Sequence, residues 1–403
     1  MKKWIPILIL AAGLSSCVYP YKPEIESNPE EVLVVDGHIL VGGLSSIRLT
    51  YLTPISGNSS RIPRGTAWIE DDLGNRYTVQ QVLDYGDYNV ATKDSPGDYF
   101  LTNNFSINTP ITPGASQYRA VVQVDEETYS SAWITPDPAP QVTGVHFTAD
   151  DRRVYVLADL KPGVEKTGYA GFLLEETWEF HAEVFPDEFI NPETWEYYGD
   201  EDLADYVYPY YWCWRSIELN GSILLDYTSL SGDEIREIPV RDFLRTDSRN
   251  HRRYSILVKA FALSKEAYDY NKQTQEMSEI GGDLFSPDPG ALEGNLICET
   301  NPEKQVMGYV QAGYVSSRRA FLTDMYLIPV LPTVEYVQVS QEDMPKFYYE
   351  WNYRPVTKVA FEKEDGSVVD VGWAPHRCIN CLEAGGTQKK PDFWDAPEER
   401  ENY

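Results

Sequence analysis

The chain reads as an all-β protein: tandem β-sandwich domains of immunoglobulin or fibronectin type, with one helix of about fifteen residues inserted in the second unit. Three observations predict this. Runs rich in β-branched and aromatic residues recur about every ten residues, the spacing of sandwich strands. The runs are separated by Gly, Pro, Asn and Asp, which supply turns. A single segment carries helical caps.

Taken in order, "EVLVVDGHIL" (31–40) and "SIRLTYLT" (46–53) are the first strands. "TAWIEDDLGNRYTV" (66–79) is a hairpin turning at Leu73-Gly74-Asn75, where Gly and Asn tolerate positive φ. "YRAVVQVDEETYSSAWI" (118–134) is a second, turning at Asp125 to Glu127. "TPDPAPQV" (135–142) has three prolines and no apolar period, so it marks a boundary between a sandwich at 32–136 and another at 141–332. Within the second unit, "RRVYVLADL" and "YAGFLLEETWEFHAEVF" are strands. "LSKEAYDYNKQTQEMSEIGG" is the helix, with Ser264 as N-cap, Glu266 in the first turn and Gly281-Gly282 as the stop. Residues 333–403 form a C-terminal β segment with a C-x-x-C motif, expected to pack on the second domain; "VAFEKEDGSVVDVGW" is its hairpin.

The N-terminus predicts the compartment. Lys2 and Lys3 precede an apolar run (4–14), then Ser15 and Ser16, the three parts of a secretory signal at 1–16. The run is too short for a spanning helix, which needs ~20 residues. "LSSC" (14–17) resembles a bacterial lipobox, which implies cleavage before Cys17 and lipidation of its sulfur. Val18 is not the aspartate of the common inner-membrane retention signal, so the outer membrane is expected, on either face. Residues 17–31 then form a lipidated, Pro-rich, acidic tether. A formal charge of −29 repels phosphate backbones and anionic headgroups, which excludes nucleic acid as an expected partner.

Five stretches, "LVVDGHI", "YSILVKAFALSKEAYDYNKQ", "GGDLFSPDPGALEGNL", "VMGYVQAGYVSSRRAFL" and "CINCLEAGGTQKKPDFW", resemble an uncharacterised outer-membrane lipoprotein family of the Bacteroides/Flavobacterium lineage, a domain of unknown function. The resemblance implies a frequent genomic neighbour, a TonB-dependent receptor, and hence a candidate partner. It implies no catalytic residues.

Four further cysteines, Cys213, Cys298, Cys378 and Cys381, favour disulfides in an oxidising compartment, and they allow three connectivities. Unpaired thiols, a CINC redox pair and a metal site are the alternatives. Residues 183–214 hold nine acidic side chains, no Lys or Arg, and many aromatics. Trp195, Tyr197, Tyr198, Trp212 and Trp214 are the candidate contacts for a sugar ring or a partner; the alternative is an acidic loop whose aromatics fold back on the sandwich. Calcium suits the carboxylates, but the sequence has no D-x-[DN]-x-[DN]-G loop. His181 with Glu179 and Glu183 at i±2 has the spacing of a strand-borne metal site or of a solvent-facing ladder.

No G-x-S-x-G, H-E-x-x-H or G-x-x-x-x-G-K-[ST] motif occurs, so no enzyme and no cofactor or metal are expected. The expected function is a non-catalytic binding or accessory role, assisting a TonB-dependent transporter in ligand capture. A surface adhesin or structural lipoprotein is the alternative, and a glycan or peptide hydrolase a third.

Overall fold

The computed structural model describes residues 32–52, 63–78, 80–82, 103–106, 111, 113–163, 168–199, 208–219, 223–230, 232–250, 252–280, 294–322, 334–361 and 368–395. Cys17, the signal and the tether lie outside them. The fold is all-β and sandwich-like, organised around one long sheet. Its strands run in the order Trp212–Glu218, Tyr169–His181, Arg253–Ala262, Val310–Leu322, Val32–Val41, Ser46–Leu52, Asn103–Ser106 and Gln80–Val82. Val32–Val41 lies parallel to Val310–Leu322, with Gly37 opposite Val310 and Val41 opposite Tyr314.

Two smaller sheets cover opposite ends of one face of this sheet. A five-stranded sheet, Leu296–Cys298, Glu127–Ser131, Tyr118–Val124, Gly65–Asp71 and Arg76–Thr78, faces the N-terminal end. Alternate residues Leu33, Val35, Ile47 and Leu49 meet Ile69, Tyr118, Ala120 and Val122 there in a single buried core. A three-stranded sheet, Ile235–Leu244, Arg153–Lys161 and Gln141–Ala149, faces the other end. Phe172, Leu174, Trp178 and Phe180 pack there on Val154, Val156, Val240 and Phe243. Glu176 is fully buried between these layers and accepts hydrogen bonds from Arg241 (3.0 Å), Arg249 (3.0 Å) and the Tyr254 hydroxyl (2.7 Å). Burial and the neighbouring Glu176 carboxylate hold the Tyr254 phenol well above its ordinary pKa.

The Pro-rich boundary is a boundary along the chain, and the sheets cross it. Asp137 bridges to Gly313 of the long sheet, and Leu296–Cys298 adds to Glu127–Ser131 of the first segment. The expected turns form as read. Gly74 has φ 86°, and the Asp71 carboxylate accepts from the backbone of Leu73 and Asn75; Asp125 takes φ 54° at the second turn. The helix is Lys265–Ile280, and Ser264 caps it by accepting from the Ala267 N–H at 3.1 Å. Its stop at Gly281-Gly282 lies outside the described residues.

A third core gathers the C-terminal hairpin, Tyr353–Phe361 with Val368–Pro375, against the short hairpin Glu188–Ile190 and Tyr197–Gly199. Trp373 is its fully buried centre.

Candidate binding site

The other face of the long sheet carries two coverings. Residues of one parity on Tyr169–His181 point to the second-sandwich core; Gly171, Leu173, Glu175, Thr177 and Glu179 point away from it. Over the first two lies the helix. Phe261 sits on Gly171, where a Cβ would come within 2.4 Å of the ring, and it packs with Leu40, Leu263 and Ala267. Beyond them the face turns polar. Thr177 hydrogen-bonds Ser216 at 2.8 Å, and Arg319 donates to Ser255 (3.1 Å) and Glu175 (2.8 Å). Lys259 also approaches Glu175, at 3.5 Å.

This polar half lies under the segment 387–395. Thr387 and Trp214 exchange backbone hydrogen bonds of 2.7 and 2.8 Å. Arg319 stacks 3.6 Å from the Phe393 ring centre, and Arg253 donates to the Trp394 carbonyl at 2.6 Å while lying 4.2 Å from the Phe321 ring. A disulfide between Cys213 and Cys381, 168 positions apart, fastens the segment to the edge strand Trp212–Glu218. Gly386 is forced by this closure, because a Cβ there would lie 2.5 Å from the Cys213 Cβ.

Between strap and sheet opens a pocket of about 300 Å³, lined by Glu179, Trp214, Arg252, Arg253, Lys390, Trp394 and Asp395. Register explains three of the seven lining residues: Glu179 pairs with Trp214 on one side and Arg253 on the other. Arg252 reaches Glu179 at 3.1 Å and lies 4.9 Å over the Trp212 ring; Lys390 pairs with Asp395. The Trp214 indole Nε1–H is buried and has no acceptor among the described residues.

The five aromatics singled out in the sequence divide. Trp214 lines the pocket, and Trp212 lies outside its lining, packed edge-on to His181 and Tyr211 with Arg252 over its ring. Trp195 and Tyr197 belong to the third core: Trp195, at φ 58°, packs edge-on to Tyr348 and Tyr349, and the Tyr197 hydroxyl accepts from the Trp373 indole at 3.0 Å. Tyr198 is exposed beside Phe189.

The cysteines divide as well. Cys213 and Cys381 are joined, whereas Cys298 and Cys378 are thiols buried in separate cores. Pairing across CINC is thereby replaced by pairing to the edge strand. Burial and the neighbouring Glu183 carboxylate push the Cys378 thiol up to about 11, so it stays protonated at neutral pH.

His181, Glu179 and Glu183 turn to different partners. His181 stacks on Tyr211, Glu179 meets Arg252, and Glu183 meets Cys378. Among the described residues no group of three His, Cys, Asp or Glu is placed to hold a metal ion.

Arg252, Arg253, Lys390, Trp394 and Asp395 escaped the sequence reading. The adjacent arginines opening a strand and the "KKPDFWD" run were the available signals.

No curated protein matches the chain. The family model described as Domain of unknown function (DUF4249) matches residues 18–319, which includes the sheet side of the pocket and stops short of the strap. The chain belongs to the DUF4249 family.

Proposed function

We propose that this protein is an outer-membrane lipoprotein, anchored through Cys17, that captures a small ligand non-catalytically and assists a TonB-dependent transporter in taking it up. The observation that carries the capture role is the pocket where the strap crosses the sheet. It joins a half-exposed aromatic wall, Trp214, to charged side chains on a rigid β frame. The signal-like N-terminus, the lipobox-like Leu14 to Cys17 and the family resemblance support the compartment and the partner in this reading.

The test is gentle detergent extraction of native outer membrane, affinity capture of the full chain, and mass spectrometry of what accompanies it. The expected result is a TonB-dependent receptor at near-equal amount. Capture of the chain alone, repeated with cross-linker, would contradict the accessory role. A second reading, a surface adhesin, draws on the exposed Tyr349 and Trp351, which pack edge-on to Trp195 and Phe347 of the third core. It predicts loss of cell attachment without any receptor in the capture.

A further inference from the structure

We propose that the pocket binds its ligand through a carboxylate, on a molecule about the size of a monosaccharide or a dipeptide. The inference rests on the capture reading and adds the chemical class of the ligand. Its first support is a local inversion of charge. The chain carries a formal charge of −29, yet the pocket lining holds three cations, Arg252, Arg253 and Lys390, against two carboxylates, Glu179 and Asp395.

The second support is that one of the pocket's own ion pairs, Lys390–Asp395, is exchangeable. The Arg252 side chain is 54% exposed and contacts Glu179 through Nη1; Lys390 and Asp395 are 43% and 73% exposed. The Lys390–Asp395 pair, so open to water, is worth roughly 0–1 kcal/mol, so a ligand carboxylate can displace Asp395 from Lys390 at little cost. Glu179 is 12% exposed and keeps Arg252, whose exposed edge can bind a second carboxylate. Asp395 already marks where such a carboxylate sits. Arginine suits the role, because its planar fork presents five N–H donors.

The third support is the donor character of the charged wall. The Trp214 Nε1–H is sealed from solvent and has no acceptor among the described residues, so Trp214 offers the pocket its ring and no donor, and the cations carry the recognition. The guanidinium and ammonium groups present donors only. A ligand rich in acceptors fits these walls, and a neutral apolar one does not.

The experiment is calorimetric titration of the full lipidated chain in detergent at low salt, with glucuronic acid, glucose and glycylglycine as probes. Glucuronic acid or glycylglycine is expected to bind with an affinity that falls as salt rises. Glucose should bind at least about tenfold more weakly, the loss expected when a hydrogen bond to a charged group is missing. Of the two carboxylates, the tighter probe identifies the source as a uronic sugar or a peptide terminus. Arg252→Gln should weaken the carboxylate by about tenfold, and Lys390→Gln should weaken it too. Lys390→Gln, which breaks only an exposed pair, should keep the wild-type Tm.

Glucose binding as tightly as glucuronic acid would overturn the carboxylate assignment and leave the capture reading standing. Carboxylate binding untouched by both variants, or absent altogether, would also overturn it. The accessory role is tested separately by the receptor capture.

Discussion

The long sheet carries one unbroken hydrogen-bonded frame, but the two ends of its outer face are closed in different ways. At one end of the strands Tyr169–His181 and Arg253–Ala262 the helix Lys265–Ile280 seals it with apolar contacts, Leu40, Phe261, Leu263 and Ala267. At the other end a strap with little regular structure crosses rows of Thr, Ser, Glu, Lys and Arg, held by a disulfide, one backbone bridge and stacked cations. An apolar seal is non-directional and leaves no room. A polar seal leaves donors and acceptors at its margins, and the pocket opens at such a margin. The same sheet thus buries one end for stability and keeps chemistry at the other.

The difference can be broken first at the strap. Closing 168 positions removes about 5 kcal/mol of chain entropy from the unfolded state on the loop-closure model. Cys213→Ser with Cys381→Ser should therefore lower stability by up to that amount in urea unfolding, and should release residues 387–395 to rapid amide exchange. At the helix end, Phe261→Ala removes a ring that is 1% exposed and should cost about 3–5 kcal/mol. That variant should leave exchange in the strap unchanged.

A smaller effect separates the two ends by pH. His38 packs against Phe261 and Gln311 on the helix side, and burial with the nearby Arg48 lowers its pKa to about 4. A depressed histidine contributes stability that is full above the unfolded value of about 6.5 and is lost as pH falls toward 4. Asp36 beside it is shifted the opposite way, raised by burial, so its own cost is relieved on acidification. The comparison is therefore wild type against His38→Gln, in which Asp36 is common to both. Between pH 7 and 4.5 the wild type should lose about 2–3 kcal/mol more than the variant. The smallest effect on stability belongs to the pocket: Lys390→Gln, at an exposed ion pair, should stay within about 0.5 kcal/mol of wild type, while weakening the ligand.

What could be read from the sequence was set by short-range chemistry. The Ser264 cap, the Gly74 turn and the alternating strands each depend on neighbours a few positions away. The joining of both sandwiches by one sheet could not be read, because the parallel partner of Val32–Val41 lies some 270 positions further on and leaves no local mark. The same reason hid the Cys213–Cys381 pairing among three connectivities. For the site, Trp214 and nearby Trp212 were legible as aromatics on a dense acidic stretch. Trp195 and Tyr197 were not separable from them, since only the fold turns their hairpin toward Trp373. Arg252 and Lys390 acquire meaning only when the strap is laid on the sheet.

The central claim is that the strap-covered end of the sheet is the binding face and the helix-covered end is not. Amide hydrogen exchange of the full chain, with and without saturating glucuronic acid, tests it most directly. Slowed exchange confined to Trp212–Glu218, the start of Arg253–Ala262 and residues 387–395 is the predicted result. Protection along Lys265–Ile280 or at the exposed Tyr349 and Trp351, or no protection anywhere, would contradict the account.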